Sequence, residues 1–172
     1  MKFGLFNMHR RKAGTHIAIV LYDVPRGGAE RALIRIMKGL LPRVSQLDLV
    51  LVLKQGDLLK DVPEGVRIIE MGKSPRWRSR MLLRKLARKF PIGIPKERLI
   101  HGKIPNPGRM VVGVVRYLRK ERPDAVLTSM TANNIVVLWA RAIANVPTRV
   151  VIREANHLSS EINLNRRNFD DI

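Results

Sequence analysis

The sequence has no cysteine, few aromatic side chains and few carboxylates. Without cysteine there is no disulfide framework, no thiolate nucleophile and no zinc–thiolate centre, and a reducing cytoplasm is a compatible compartment. Aromatic residues make up 5% of the chain and no strand resembles an RNP motif, so single-stranded RNA would find few stacking platforms. No apolar run approaches the ~18 residues of a membrane-spanning helix. The opening MKFGLFNMHRRKAGTH has charge but no apolar stretch fit for a signal peptide, and residues 1–16 read as a loose basic leader. Acid is scarce beside base: 14 Asp and Glu stand against 33 Lys and Arg, a net charge of +19. A field of that size attracts polyanions or an anionic membrane without distinguishing between them. The excess is uneven, since between Lys73 and Lys103 the many lysines and arginines face only Glu97.

What is present begins with a core. A chain of 172 residues with 45% hydrophobic content fits one domain. Its most informative stretch is IAIVLYDVPRGGAERALIRIMKGLL, residues 17–41. The run from Ile17 to Tyr22 is short, apolar and branched, as a parallel strand covered on both faces requires. Asp23, Pro25, Gly27 and Gly28 then break regular structure, and the glycines let the backbone approach another molecule. Ala29, Ala32, Leu33, Ile36, Met37 and Leu40 follow at helical spacing, with Arg31, Arg35 and Lys38 off that stripe. The first turn of such a helix carries unpaired N–H groups and the positive end of the macrodipole, which favour an anion such as a diphosphate. The plainer alternative is a tight turn between strand and helix.

Further strands are expected at Leu47–Leu53, Val66–Met71, Ala125–Thr128 and Thr148–Ile152. Helical faces are expected around Val111–Leu118 and Ala132–Ile143, ended by Pro123 and Pro147. Between 72 and 108, glycines and prolines mark an irregular, basic excursion. It contains one helix candidate, with Leu83, Leu86, Ala87 and Phe90 on one face and Arg80, Arg84, Lys85 and Arg88 on another, the pattern of a basic amphipathic helix. Trp77 beside it suits a membrane interface, although the same pattern fits a solvated face of a core helix. The alternation predicts an α/β, Rossmann-like open and mostly parallel sheet with helices on both faces, strand order 3-2-1-4-5 and a switch point between strands one and four. Ligands bind at the carboxyl ends of such strands, where Asp23–Gly28, Ser129–Asn134 and Arg153–Asn156 converge. Residues 153–172 are polar with no further strand, so the domain over 17–172 reads as incomplete.

Several motifs are excluded. Gly72-Lys73-Ser74 resembles the end of a P-loop, but Arg67 stands where its first glycine belongs. The fingerprint G-x-G-x-x-G is absent, which argues against a nicotinamide enzyme. His9, His16, His101 and His157 form no metal pair and are expected at the surface, so no metal site is expected. Other residues remain as site candidates. Glu30 complements the helix dipole and is less favoured for contacting substrate hydroxyls. Glu154, between Arg153 and Asn156 at the end of a strand, suits sugar recognition as well as it suits a solvated loop. Thr131 and Asn133 can hydrogen-bond a ligand or cap the following helix, and capping is favoured for Thr131.

These residues resemble the N-terminal, acceptor-side domain of a family-4 glycosyltransferase with the GT-B architecture. The resemblance covers about residues 16–160. It rests on IAIVLYDVPRGGAERALIRIMKGL, DLVLVL, VPEGVRIIEMG and VRYLRKERPDAVLTSMTANNIVVLWARAIANVPTRVVIREAN, in that order. It implies one half of a GT-B fold and a retaining transfer of sugar from a nucleotide-activated donor to a hydroxyl, usually without a metal ion and with no cofactor beyond the nucleotide-sugar co-substrate. In the family the Gly-Gly loop faces the donor diphosphate across an interdomain cleft, which carries over to Gly27 and Gly28. Many members have a histidine at the end of strand five, where Glu154 stands here as the candidate catalytic residue.

The family's donor site, with two glutamates eight positions apart, belongs to a second Rossmann-like domain, and this sequence contains no such E-x7-E pair. The expectation is therefore a truncated product, a domain fragment or one half of a split enzyme, inactive alone, whose donor-binding domain is supplied elsewhere, in trans in the split case. The expected partners are a nucleotide sugar, a glycan or lipid-linked acceptor and an anionic membrane. Trp77, Arg80, Arg84, Lys85 and Arg88 would face that membrane, with the chain peripheral on its cytoplasmic face. The competing class is a basic module that binds nucleic acid; the shortage of aromatics makes it the less favoured.

Overall fold

A computed structural model describes residues 14–88 and 109–155. Five strands form one sheet: β1 His16–Leu21, β2 Gln46–Leu51, β3 Arg67–Glu70, β4 Ala125–Ser129 and β5 Arg149–Arg153. Among the described residues there are four α-helices: α1 Gly28–Leu40, α2 Arg76–Ala87, α3 Val111–Glu121 and α4 Thr131–Ala144. Every pairing is parallel and the order is β3-β2-β1-β4-β5, with the switch point between β1 and β4 as expected. The fold is the Rossmann-like α/β sheet that the alternation implied. Phe90, most of the excursion after Arg88, and Asn156 lie outside the described residues.

Strand residues alternate between two cores because the side-chain period is two. Ala18, Val20, Val50 and Val126 share one core with Leu83 of α2, Val111, Val114 and Leu118 of α3, and Val136, Val137 and Ala140 of α4. Ile19, Leu21, Leu49 and Leu51 share the other with Leu33, Ile34 and Met37 of α1 and with Leu58 of a 3-10 turn at Asp57–Asp61. Helices thus cover both faces. Each large side chain fully buried in this way contributes roughly 1.5–3 kcal/mol. The buried seam of α1 is rotated from the expected stripe: Ile34 is buried, while Ile36 and Leu40 are only half-buried. Helix α2 starts at Arg76, directly after Pro75, a turn earlier than its apolar spacing suggests.

At the amino edge of the sheet lies a polar cluster that the sequence reading missed. His16 is buried rather than at the surface, a correction explained by its partner: its Nε2 lies 2.8 Å from Oδ2 of Asp48. Asp48 is fully buried within β2. Its carboxylate also accepts from Arg67 Nε at 2.9 Å and Nη2 at 2.7 Å, from the Tyr117 hydroxyl at 2.6 Å and from Gln46 Nε2 at 3.1 Å. Arg67 Nη2 reaches Glu121 as well, at 2.7 Å. Burial alone would raise the Asp48 carboxyl, but His16, Arg67, Tyr117 and Gln46 together hold it well below the usual carboxylate range. Burial first, and then Asp48, push the Tyr117 phenol upward. The cluster joins β1, β2, β3 and α3.

Candidate functional site

The loop leaving β1 is pinned to the loop leaving β2. Val24 N donates to Gln55 O at 3.1 Å, Leu58 N donates to Val24 O at 3.3 Å, and Gln55 Nε2 donates to Asp23 Oδ2 at 3.1 Å. This crossing requires glycine at position 56, where φ is +119° and a Cβ would run into the Val24 carbonyl. Gly27 then serves as the N-cap of α1 with ordinary extended backbone, its carbonyl accepting from Arg31 N at 3.2 Å. No side chain caps the helix. Glu30 is buried in the first turn, and its carboxylate lies where a Cβ on Gly27 would project. Gly28 is different. It is the first helical residue, it is exposed, and no atom lies within 4 Å of where its Cβ would stand. Its backbone does not need glycine, and a glycine in a helix is about 1 kcal/mol worse than alanine.

The loops after β4 and β5 are laced together. Met130 adopts φ 75° and is the N-cap of α4, with no side-chain cap bond, and Thr131 is the first helical residue rather than the N-cap. Asn133 Nδ2 folds back to Ser129 O at 3.0 Å. Asn134, which the sequence reading did not single out, bridges the two loops: its Nδ2 donates to Arg153 O at 3.1 Å and to Glu154 Oε2 at 3.3 Å. Its Oδ1 is buried with no partner among the described residues. Arg153 Nη1 donates to Ser129 Oγ at 3.3 Å. Glu154 is therefore an exposed carboxylate at the end of β5, steered by an amide and able to accept from a ligand hydroxyl. The ends of β1 and β5 lie two strand spacings apart, about 10 Å, along the same edge of the sheet.

On α2, Leu83 and Leu86 face the core. Trp77 and Met81, one turn apart, are 61% and 60% exposed, and the Arg78 guanidinium lies over the Trp77 ring at 5.0 Å. Arg84, Lys85 and Arg88 are exposed, whereas Arg80 is half-buried. No helix among the described residues is long and apolar enough to cross a membrane. Among the same residues there is no group of three His, Asp or Glu that could hold a metal ion.

No family model matches the chain, and no curated protein matches it. Solved structures do. The apo form of the lipopolysaccharide outer core galactosyltransferase WaaB is similar over 84% of this chain, with a TM-score of 0.50 and 11% identity. Leishmania major tyrosyl-tRNA synthetase, in complex with tyrosinol, is 14% identical over 88% of this chain and 27% of its own, with a TM-score of 0.48. The first likeness bears on the fold alone, the Rossmann-like α/β sheet described above, which matches part of that galactosyltransferase. The chain spans 34% of that galactosyltransferase.

Proposed function

We propose that this chain is the acceptor-side half of a retaining, nucleotide-sugar-dependent family-4 glycosyltransferase. In this reading the N–H groups at Gly28 and Ala29 meet the diphosphate of a donor whose nucleotide is held by a second domain. Glu154, Arg153 and Asn156 bind the glycan or lipid-linked acceptor together with Thr131 and Asn133, and Glu154 is the group nearest in kind to a catalytic base. The single observation that carries the reading is the open space at Gly28, at the N-terminus of a helix without a side-chain cap, on the edge of the sheet next to the switch point. The exposed Trp77 and Met81, ringed by arginine and lysine, support peripheral contact with an anionic membrane. Nucleic acid is not favoured by any feature of the site.

The test is a titration of the chain with inorganic pyrophosphate, followed by backbone amide resonances. Saturable shifts at Gly28 and Ala29 are expected, and Gly28→Val should weaken binding at least about 10-fold, some 1.4 kcal/mol, with the melting temperature nearly unchanged. Shifts confined to other residues, or an unaltered affinity in the variant, would overturn the assignment. A transfer assay with radiolabelled nucleotide sugars should give no turnover from this chain alone, and turnover would refute the need for a separate donor-binding domain.

A further inference from the structure

A groove of about 430 Å³ runs along the outer side of α1. One wall is α1 itself; the other is the 3-10 turn Asp57–Asp61. Ile34 and Leu58, 4% and 5% exposed, contribute apolar lining. Arg31, Arg35 and Lys38 follow one another at i, i+4 and i+7 on a single helix face, spanning about 10 Å along the axis. Lys60 lines the groove from the turn, and Arg26 stands 3.6 Å from Asp57. The groove is shallow and open to solvent, so a ligand there would be held by charge and hydrogen bonds rather than by enclosure.

The charge arrangement works against the helix. Arg31 with Arg35 and Arg35 with Lys38 are like-charge neighbours that repel each other, and the acids nearest them, Asp57 and Asp61, stand across the groove and offset that charge only in part. An anionic ligand relieves the repulsion. The carboxylates of Asp57 and Asp61 in the same lining narrow the ligand further. They repel a continuous phosphate chain such as nucleic acid, and no aromatic side chain lines the groove for base stacking. What they can do is accept hydrogen bonds from neutral hydroxyls.

We infer that this groove binds a phosphorylated saccharide, with Arg31, Arg35, Lys38 and Lys60 taking the phosphate and Asp57 and Asp61 accepting from the sugar hydroxyls. The inference goes beyond the proposed transferase role and does not rest on it, since none of these residues belongs to the site assigned above.

The experiment titrates the whole chain with glucose 1-phosphate, inorganic phosphate and glucose at fixed ionic strength, following the amide resonances. Glucose 1-phosphate should saturate with shifts at Arg31, Arg35 and Lys60 and bind at least about 10-fold more tightly than phosphate, with glucose inert. Arg31→Ala combined with Arg35→Ala should weaken it at least about 10-fold, and Lys60→Ala on the opposite wall by a smaller factor. Asp57→Asn combined with Asp61→Asn should erase the advantage over phosphate. All of these side chains are exposed, and melting curves verify that the variants fold. Equal binding of phosphate and sugar phosphate, or shifts confined to Gly28 and Ala29, would overturn the inference. So would displacement of the sugar phosphate by phosphatidylglycerol vesicles, which would assign the groove to lipid headgroups, or by RNA.

Discussion

The carboxylate of Glu30 lies against the α carbon of Gly27, in the volume a side chain at position 27 would fill. A buried negative charge therefore sits in the first turn of α1, at the helix end that attracts anions. Glu30 stabilises the free helix and competes with any diphosphate brought to Gly28. Glu30→Gln should raise pyrophosphate affinity roughly 2- to 5-fold and lower folding stability by about 0.3–1 kcal/mol, the usual size of one charge at a helix terminus. Calorimetric binding and urea denaturation read the two effects separately. An unchanged affinity would remove Glu30 from the account of the anion site.

Asp48 is held ionised by His16, Arg67, Tyr117 and Gln46 against the effect of its own burial, so its folded pKa is depressed. The unfolded carboxyl, near 3.9, binds a proton more readily than the folded one. The stability it confers is therefore complete above about pH 4 and drains away as the pH falls from there through the lower folded value. Asp48→Asn should cost less than the about 3–5 kcal/mol of breaking a fully buried pair near neutral pH, because water screens part of the charge of the half-exposed Arg67. It should also flatten the acid limb of a stability-versus-pH curve measured by denaturant titration between pH 2 and 7. A variant with the wild-type acid limb would contradict this role.

Among the described glycines, Gly56 is the one least tolerant of a side chain. Gly56→Ala meets both a positive φ and the Val24 carbonyl, and should cost at least about 1–3 kcal/mol. Hydrogen exchange at Val24 and Leu58 should quicken together, because their bonds cross at this point. Slow exchange at both amides in a destabilised variant would show that the two loops are not coupled.

Trp77 contributes little to the core. Trp77→Ala should change folding stability by no more than about 0.5 kcal/mol, as expected of an exposed site. Co-sedimentation with phosphatidylglycerol vesicles should nevertheless fall several-fold, and the remaining binding should weaken as salt rises. Undiminished sedimentation would take the membrane role away from α2.

The sheet was legible because hydrophobic periodicity reports burial on each face. Strand-like runs such as Ile17–Tyr22 and Leu47–Leu53 stand out against the helical spacing of Val111–Leu118, and their alternation leaves few allowed topologies. The amino-edge cluster was not legible. Asp48 inside QLDLVL is the only hint, and its partners come from residues 16, 67 and 117, distances along the chain that periodicity does not span. The same limit applies at the site. Gly27 and Gly28 look equivalent in sequence, yet the fold gives one a carboxylate neighbour and leaves the other open. Asn133 and Asn134 look alike in the sequence because two adjacent amides in a helix start differ only in direction. The direction sends one to Ser129 and the other to Glu154.

The amino-edge cluster also bears on how such a domain can change over time. Four segments are fastened at the edge of the sheet away from the loops that follow β1, β4 and β5. The side chains of this cluster come from none of those loops, so a substitution in a loop leaves it intact. New ligand preferences are accessible by single substitutions at the carboxyl edge, while a change at Asp48 closes that freedom by unfastening the frame on which the loops depend.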